Sequence, residues 1–343
     1  MINRFVCAIL ILQFSLHAAA QEYKYLVLKG GGIRGIAFVG ALKVLEEKRV
    51  TQSIEKVAGT SAGAITGVLL ATGYNAAQML EILSELNIRQ FNDGEMFFIG
   101  GQKRLRKNYG WYKGKKLENW IGRQIAARTG NENTTFMQLH QLALSDRNYK
   151  DIYITATNLT QQKTEIFNWK THPDMPLKIA VRASASIPLY FGAVFMDSSG
   201  NIAAHPEDGV DYNVYADGGL AANYPITIFN SINDDELGKI NPATLGLSLE
   251  RPEQIAYSKN HTGIAPFRIH SFSSYVAALY NLTIEKMNKR ERYEEESKHT
   301  IYISTSNLNP RVRHISSEQK RLLFNNGEVA AREFFEGKEY QTE

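Results

Sequence analysis

The chain has 343 residues, 43% of them hydrophobic and 22% charged, with a formal net charge of +4. That composition is ordinary for a soluble globular protein, and the length suits one large domain or two smaller ones. The charge excess is mild, and without a long basic block or zinc-type spacing nucleic acid is set aside as a partner.

The N-terminus reads as a secretory signal peptide over residues 1–20. Arg4 supplies the positive end, Phe5 to Leu12 the apolar stretch, and Ala18-Ala19-Ala20 a small-residue cleavage site before Gln21. The unbroken apolar run is too short for a stable membrane anchor. The competing reading is a buried N-terminal helix. Cys7, the single cysteine, falls inside the signal and too early for lipoprotein acylation, so the mature chain has neither disulfides nor thiolate metal sites. Export places the protein in the periplasm or outside the cell.

Tyr25 to Leu28 reads as a first strand, followed by the glycine loop Gly30-Gly31-Gly32-Ile33-Arg34-Gly35. Ile36 to Glu47 has helical spacing through Phe38, Val39, Leu42 and Leu45. Glu55 to Ala58 is a second strand. Ala62 to Thr72 is a nearly all-apolar helix, which implies burial on every side. Gly73 stops it, and Asn75 caps the next helix, whose face is Ala76, Met79, Leu80, Leu83 and Leu86. Residues 88–114 break the pattern with scattered glycines, aromatics and bases and read as a long loop or lid. A helix follows over Lys115 to Arg128.

Asp151 to Thr157 is a strand that Lys163 to Trp169 can pair with. Ile179 to Ser186 is a short helix halted by Pro188, and Val214 to Ala216 a strand leading to Asp217-Gly218-Gly219. Thr244 to Leu249 and Ile301 to Ser304 are further strands, with Phe272 to Lys298 helical between them. Alternating strands and helices predict a three-layer α/β/α sandwich around a mostly parallel sheet. With no repeat and no linker, residues 21–343 form a single domain, with its motifs in about 23–250 and a helical and strand extension over 251–343.

Gly59-Thr60-Ser61-Ala62-Gly63 has the G-x-S-x-G form of a nucleophile elbow, between a strand and a helix as that turn requires. The helix start favours negative charge beside Ser61. Gly30-x-Gly32-x-x-Gly35 also fits a dinucleotide fingerprint, but Glu55 begins the second strand where that fingerprint expects an acid at its end. An oxyanion hole is the preferred reading, built mainly from the amides around Gly31 and Gly32. Arg34 adds positive potential there or is a plain surface arginine.

A serine nucleophile needs a base, commonly histidine. The histidines beyond the signal lie in no glycine-framed turn, whereas Asp217 ends a strand ahead of two glycines. A carboxylate can serve where it bonds the hydroxyl directly in a dry site; the plain alternative is that Asp-Gly-Gly is only a turn. Phe97, Phe98 and Ile99 beside Lys103, Arg104, Arg106 and Lys107 read either as a membrane contact or as core aromatics next to a solvated turn.

Taken in order, four blocks resemble the patatin-like phospholipase family: Gly30 to Gly35, Gly59 to Gly63, Ala183-Ser184-Ala185-Ser186-Ile187-Pro188, and Asp217-Gly218-Gly219 followed by Asn223 and Pro225. Trp111-Tyr112-Lys113-Gly114 ahead of a Leu-Glu-x-Trp helix is similar to bacterial members, and the chain as a whole resembles a secreted, stand-alone member. The resemblance covers residues 23–250. It implies a Ser61–Asp217 dyad with the glycine loop as oxyanion hole. It also implies lipid acyl hydrolysis on a phospholipid or other acyl ester, with no metal or cofactor. Acyl transfer or thioester cleavage by the same dyad, and a non-catalytic lipid-binding or host-interaction role, are the alternatives. Oligomeric state is left open.

Overall fold

The computed structural model describes residues 22–94, 97–197, 199–236, 239–261, 263–287, 293–306, 308 and 315–337. The proposed signal peptide lies outside them. In chain order the strands are β1 (Tyr25–Leu28), β2 (Lys56–Thr60), β3 (Gly110–Tyr112), β4 (Asp151–Asn158), β5 (Lys163–Phe167), β6 (Leu189–Phe191), β7 (Val194–Asp197), β8 (Ile202–Ala203), β9 (Tyr212–Asp217), β10 (Thr244–Glu250) and β11 (Thr300–Ser304). Among the described residues, nine of them form one sheet in the order β11-β10-β1-β2-β4-β9-β7-β8, with β5 also paired to β4. The run from β11 to β4 is parallel. β5, β9, β7 and β8 add antiparallel pairs at the other end. β3 and β6 pair separately.

The central strands are apolar in successive positions because both sheet faces are covered. Leu26, Leu28 and Val57 face the larger core with the helix Ile36–Glu47, while Val27 and Ala58 face a smaller cluster with Tyr224, Ile226 and Ile240. This is the three-layer sandwich the alternation predicts.

Residues 88–114 are not a long loop. Ile88–Phe91 is a 3₁₀ turn, Phe97–Asn108 is a helix and β3 follows. Gly101, whose spacing reads as a loop signal, is instead a packing contact. A Cβ there would lie 2.5 Å from Trp111 Cε2, so the helix needs a bare backbone beneath the indole. Phe272 to Lys298 contains two described helices, Phe272–Met287 and Tyr293–Lys298. The helices Phe136–Ser145, Pro252–Ser258 and Ser317–Glu336 have no counterpart in the sequence reading.

Candidate active site

The carboxyl ends of the parallel strands converge on one cleft. β1 lies between β2 and β10, so chain connections leave it in opposite directions, which opens a crevice at that edge. Strand register then fixes the key pair. Thr60 is level with Thr155 on β4, and Ala156 is level with Asp217 on β9. Ser61, one residue past Thr60, therefore reaches across β4 toward Asp217. Ser61 Oγ donates to Asp217 Oδ2 at 2.7 Å, with both residues buried.

Local structure imposes this approach. Ser61 stands at φ +52°, ψ −115°, an uncommon conformation for a side chain-bearing residue, between β2 and the helix Ala62–Ala71. The flanking glycines permit the tight return: a Cβ on Gly59 would lie 2.3 Å from Gly63 O, and one on Gly63 would lie 2.2 Å from Leu28 O. Thr60 Oγ1 secures the turn through Thr155 Oγ1 at 2.5 Å and Ala222 O at 2.9 Å.

Asp217 is held from several sides. Its Oδ1 accepts from the Gly219 amide at 2.8 Å, its own amide donates to Ser186 O at 2.9 Å, and Thr157 Oγ1 donates to its carbonyl at 2.8 Å. Gly218 passes so close to Thr155 that a Cβ there would lie 2.3 Å from the Thr155 carbonyl oxygen. Burial pushes the Asp217 carboxyl up to about 6, and the bonds from Ser61 and Gly219 offset only part of that.

The glycine loop lies in the same cleft. The Gly30 amide donates to Asn223 O at 2.9 Å. Gly32 takes φ +59°, and among the described residues no protein group accepts from the Gly31 or Gly32 amide. Arg34 is buried, contrary to the surface alternative. Its Nε donates to Gly31 O at 2.9 Å and Nη1 reaches Thr305 Oγ1 at 3.4 Å. Within one planar peptide the C=O and the next N–H point in opposite directions, so the grip on Gly31 O turns the Gly32 N–H the other way.

Ser184 and Ser186 stand in the third motif block with no role legible in the sequence. Ser184 Oγ accepts the Ser61 amide at 2.8 Å, while its carbonyl accepts from Gly218 at 3.2 Å. Beneath them the fully buried Arg182 donates to Gly114 O at 3.0 Å, Lys113 O at 2.9 Å and Gly192 O at 2.7 Å, and also to Ser186 Oγ. Burial draws its guanidinium down to about 10, opposed by Glu118 and Asp93. The i, i+4 spacing of Arg182 and Ser186 was the available signal.

Two cavities meet at Ser61. A cleft of about 580 Å³ is lined by the glycine loop, Ser61, Asp217 and Asn223, with Lys29, Glu250, Arg251, Asn281 and Glu285 among its polar groups. Lys29 is buried and paired with Glu250 at 2.6 Å and Glu285 at 3.1 Å. A narrower pocket of about 80 Å³ lies behind Ser61 and Gly32, lined mainly by apolar groups including Ile65, Leu83, Leu86, Phe91 and Phe191. Among the described residues no histidine lines either cavity. His140 instead pairs with Asp151 at 2.8 Å and stacks on Trp169.

Of the residues read as a membrane contact, Phe97 and Phe98 have side chains outside the described set. Lys103 is exposed. Arg104 is half-buried, its Nε donating to Trp111 O at 2.8 Å, which ties the helix Phe97–Asn108 to β3.

A family model described as patatin-like phospholipase matches residues 26–230, more than half of the chain. The uncharacterized protein R571 of Acanthamoeba polyphaga mimivirus is 30% identical over 262 residues, covering 76% of this chain and 75% of that protein. The probable lipid hydrolase 463L of Invertebrate iridescent virus 6 is 27% identical over 216 residues, covering 63% of this chain and 66% of that protein. Among solved structures, VipD from Legionella pneumophila has a TM-score of 0.57 at 18% identity, covering 92% of this chain and 67% of that one. The type III effector ExoU has a TM-score of 0.51 at 18% identity, covering 93% of this chain and 54% of that one, a likeness of fold.

Proposed function

This chain belongs to the patatin-like phospholipase family, and from that premise we propose that it is a serine lipid acyl hydrolase working through Ser61 and Asp217. The observation that carries the reading is the 2.7 Å hydrogen bond from Ser61 Oγ to Asp217 Oδ2, buried beside two uncommitted glycine amides. Ser61 Oγ attacks the ester carbonyl while its proton passes to Asp217. The carbonyl oxygen, now an oxyanion, is met by the Gly31 and Gly32 amides, donors already fixed before charge develops. Asp217 returns the proton to the leaving alcohol and an acyl-Ser61 ester forms. Water then enters, Asp217 takes its proton, and the fatty acid is released with Ser61 restored.

The two cavities divide the substrate. The acyl chain takes the apolar pocket behind Ser61, and the alcohol with its polar substituents leaves through the charged cleft. A glycerolipid ester fits that division. Export through residues 1–20 belongs to the same proposal, with the periplasm or the exterior as the place of action.

Ser61→Ala and Asp217→Asn on the purified protein, assayed with a short-chain aryl ester and with phospholipid, test it. Each is expected to lower kcat/KM by ~10³-fold or more with folding intact. Retained turnover in either variant would remove the dyad, and an unlabelled Ser61 after fluorophosphonate treatment would remove the covalent step.

A further inference from the structure

The helix Phe272–Met287 presents two unlike faces. Asn281, Ile284 and Glu285 line the cleft, where Ile284 is buried and Glu285 is anchored to Lys29. Away from the cleft, Tyr275, Leu279 and Leu282 are 48%, 48% and 44% exposed. Spaced by four and three residues, they share one arc of about 60° on the helix surface. Ile269, 52% exposed in the preceding segment, extends the stripe, and the exposed Arg268 stands beside it. Leu189, which also lines the cleft, is 69% exposed and held at φ +65°. That backbone is strained for a residue with a side chain, yet it keeps an apolar side chain in water at the cleft.

Single exposed apolar residues need no account, but a stripe along one helix face does. We propose that this face seats the protein on an anionic lipid bilayer, which brings the helix that walls the cleft down to the membrane surface. This docking rests on the proposed function, in which the substrate is a lipid. An apolar stripe flanked by a cation is the combination a bilayer interface accepts, apolar groups entering the acyl boundary and the guanidinium meeting phosphates. The helix is also a wall of the cleft, so a bilayer on its outer face lies beside the opening.

The test uses the full chain carrying Ser61→Ala, so that vesicles stay intact. Sedimentation is measured with vesicles of phosphatidylcholine containing about one-third phosphatidylglycerol. A Leu279→Asp/Leu282→Asp double variant is expected to lower the partition coefficient ~10-fold or more. Arg268→Gln is expected to weaken binding on the anionic vesicles and leave it unchanged on pure phosphatidylcholine. With Ser61 intact, the double variant is expected to hydrolyse a soluble acetyl aryl ester within about twofold of the parent, showing that the fold survives. Undiminished vesicle binding by the double variant, or no binding by the parent, overturns the proposal. So does a concentration-dependent dimer in sedimentation equilibrium that the double variant dissociates. Vesicle binding through this face without phospholipid hydrolysis would remove the substrate reading and leave the docking face standing.

Discussion

Asp217 is where function and stability pull apart. Its carboxyl has an ordinary value of 3.8 and is pushed to about 6 by burial. Only the ionised form can take the Ser61 proton, so kcat/KM for a soluble ester is expected to climb with pH below about 6 and level above it. A pH–rate profile that is flat from pH 5 to 8 would refute this. The linkage to folding has the opposite sign. Between pH 3.8 and about 6 the folded chain holds more protons than the unfolded chain, so this group's stabilisation is greatest at low pH and is lost as pH rises through the folded value. Asp217→Asn keeps an acceptor for the Gly219 amide and places a donor against Ser61 Oγ, with no charge to bury. It is therefore expected to raise the melting temperature at pH 7.5 by a few degrees while abolishing turnover. Thermal melts at pH 5 and 7.5 check it, and the gap between variant and parent should shrink at the lower pH.

At the scale of elements, the regular segments around the site were legible because their signals are local. The helix Ile36–Glu47 follows from its apolar spacing alone, and Asn75 forms the capping box that its sequence allows. The elbow, the glycine loop and Asp217 were legible because bare backbone at fixed positions is a chemical demand. The pairing of Ser61 with Asp217 was only an expectation, since strand register across β4 is not written in either segment. The roles of Ser184 and Arg182 were not legible because they are hydrogen bonds to backbone groups far along the chain. Nor was the helix Ser317–Glu336, although Ser316 and Gln319 form a capping box. Its reason to exist is tertiary: it lies against the helix Ile36–Glu47 so closely that a Cβ on Gly327 would sit 2.0 Å from Ala37 O. Gly327→Leu is accordingly expected to force the helices apart and destabilise the fold by ~3 kcal/mol or more, read as a lowered urea midpoint. An unchanged midpoint would mean that this crossing is not held in solution.

At the scale of the molecule, Ser61 occupies the boundary between two adjoining cavities of unlike character. The cleft on one side carries Lys29, Glu250 and Glu285, while the pocket on the other is nearly all apolar. If the acyl chain enters the apolar side, chain length is measured there and nowhere else. Ile65 lies one helical turn past Ser61 and lines that pocket. Ile65→Phe fills space beyond the acyl carbonyl without touching the dyad. The specificity constant for an octanoyl aryl ester is expected to fall roughly tenfold or more, because each methylene in an apolar pocket carries ~1–3 kcal/mol of discrimination. The acetyl ester, too short to reach the added ring, is expected to keep its rate within about twofold. Parallel loss on both esters would mean that the ring disturbs Ser61 itself, and unchanged rates on both would place the acyl chain in the charged cleft instead. The comparison therefore reads the direction in which the substrate lies across Ser61.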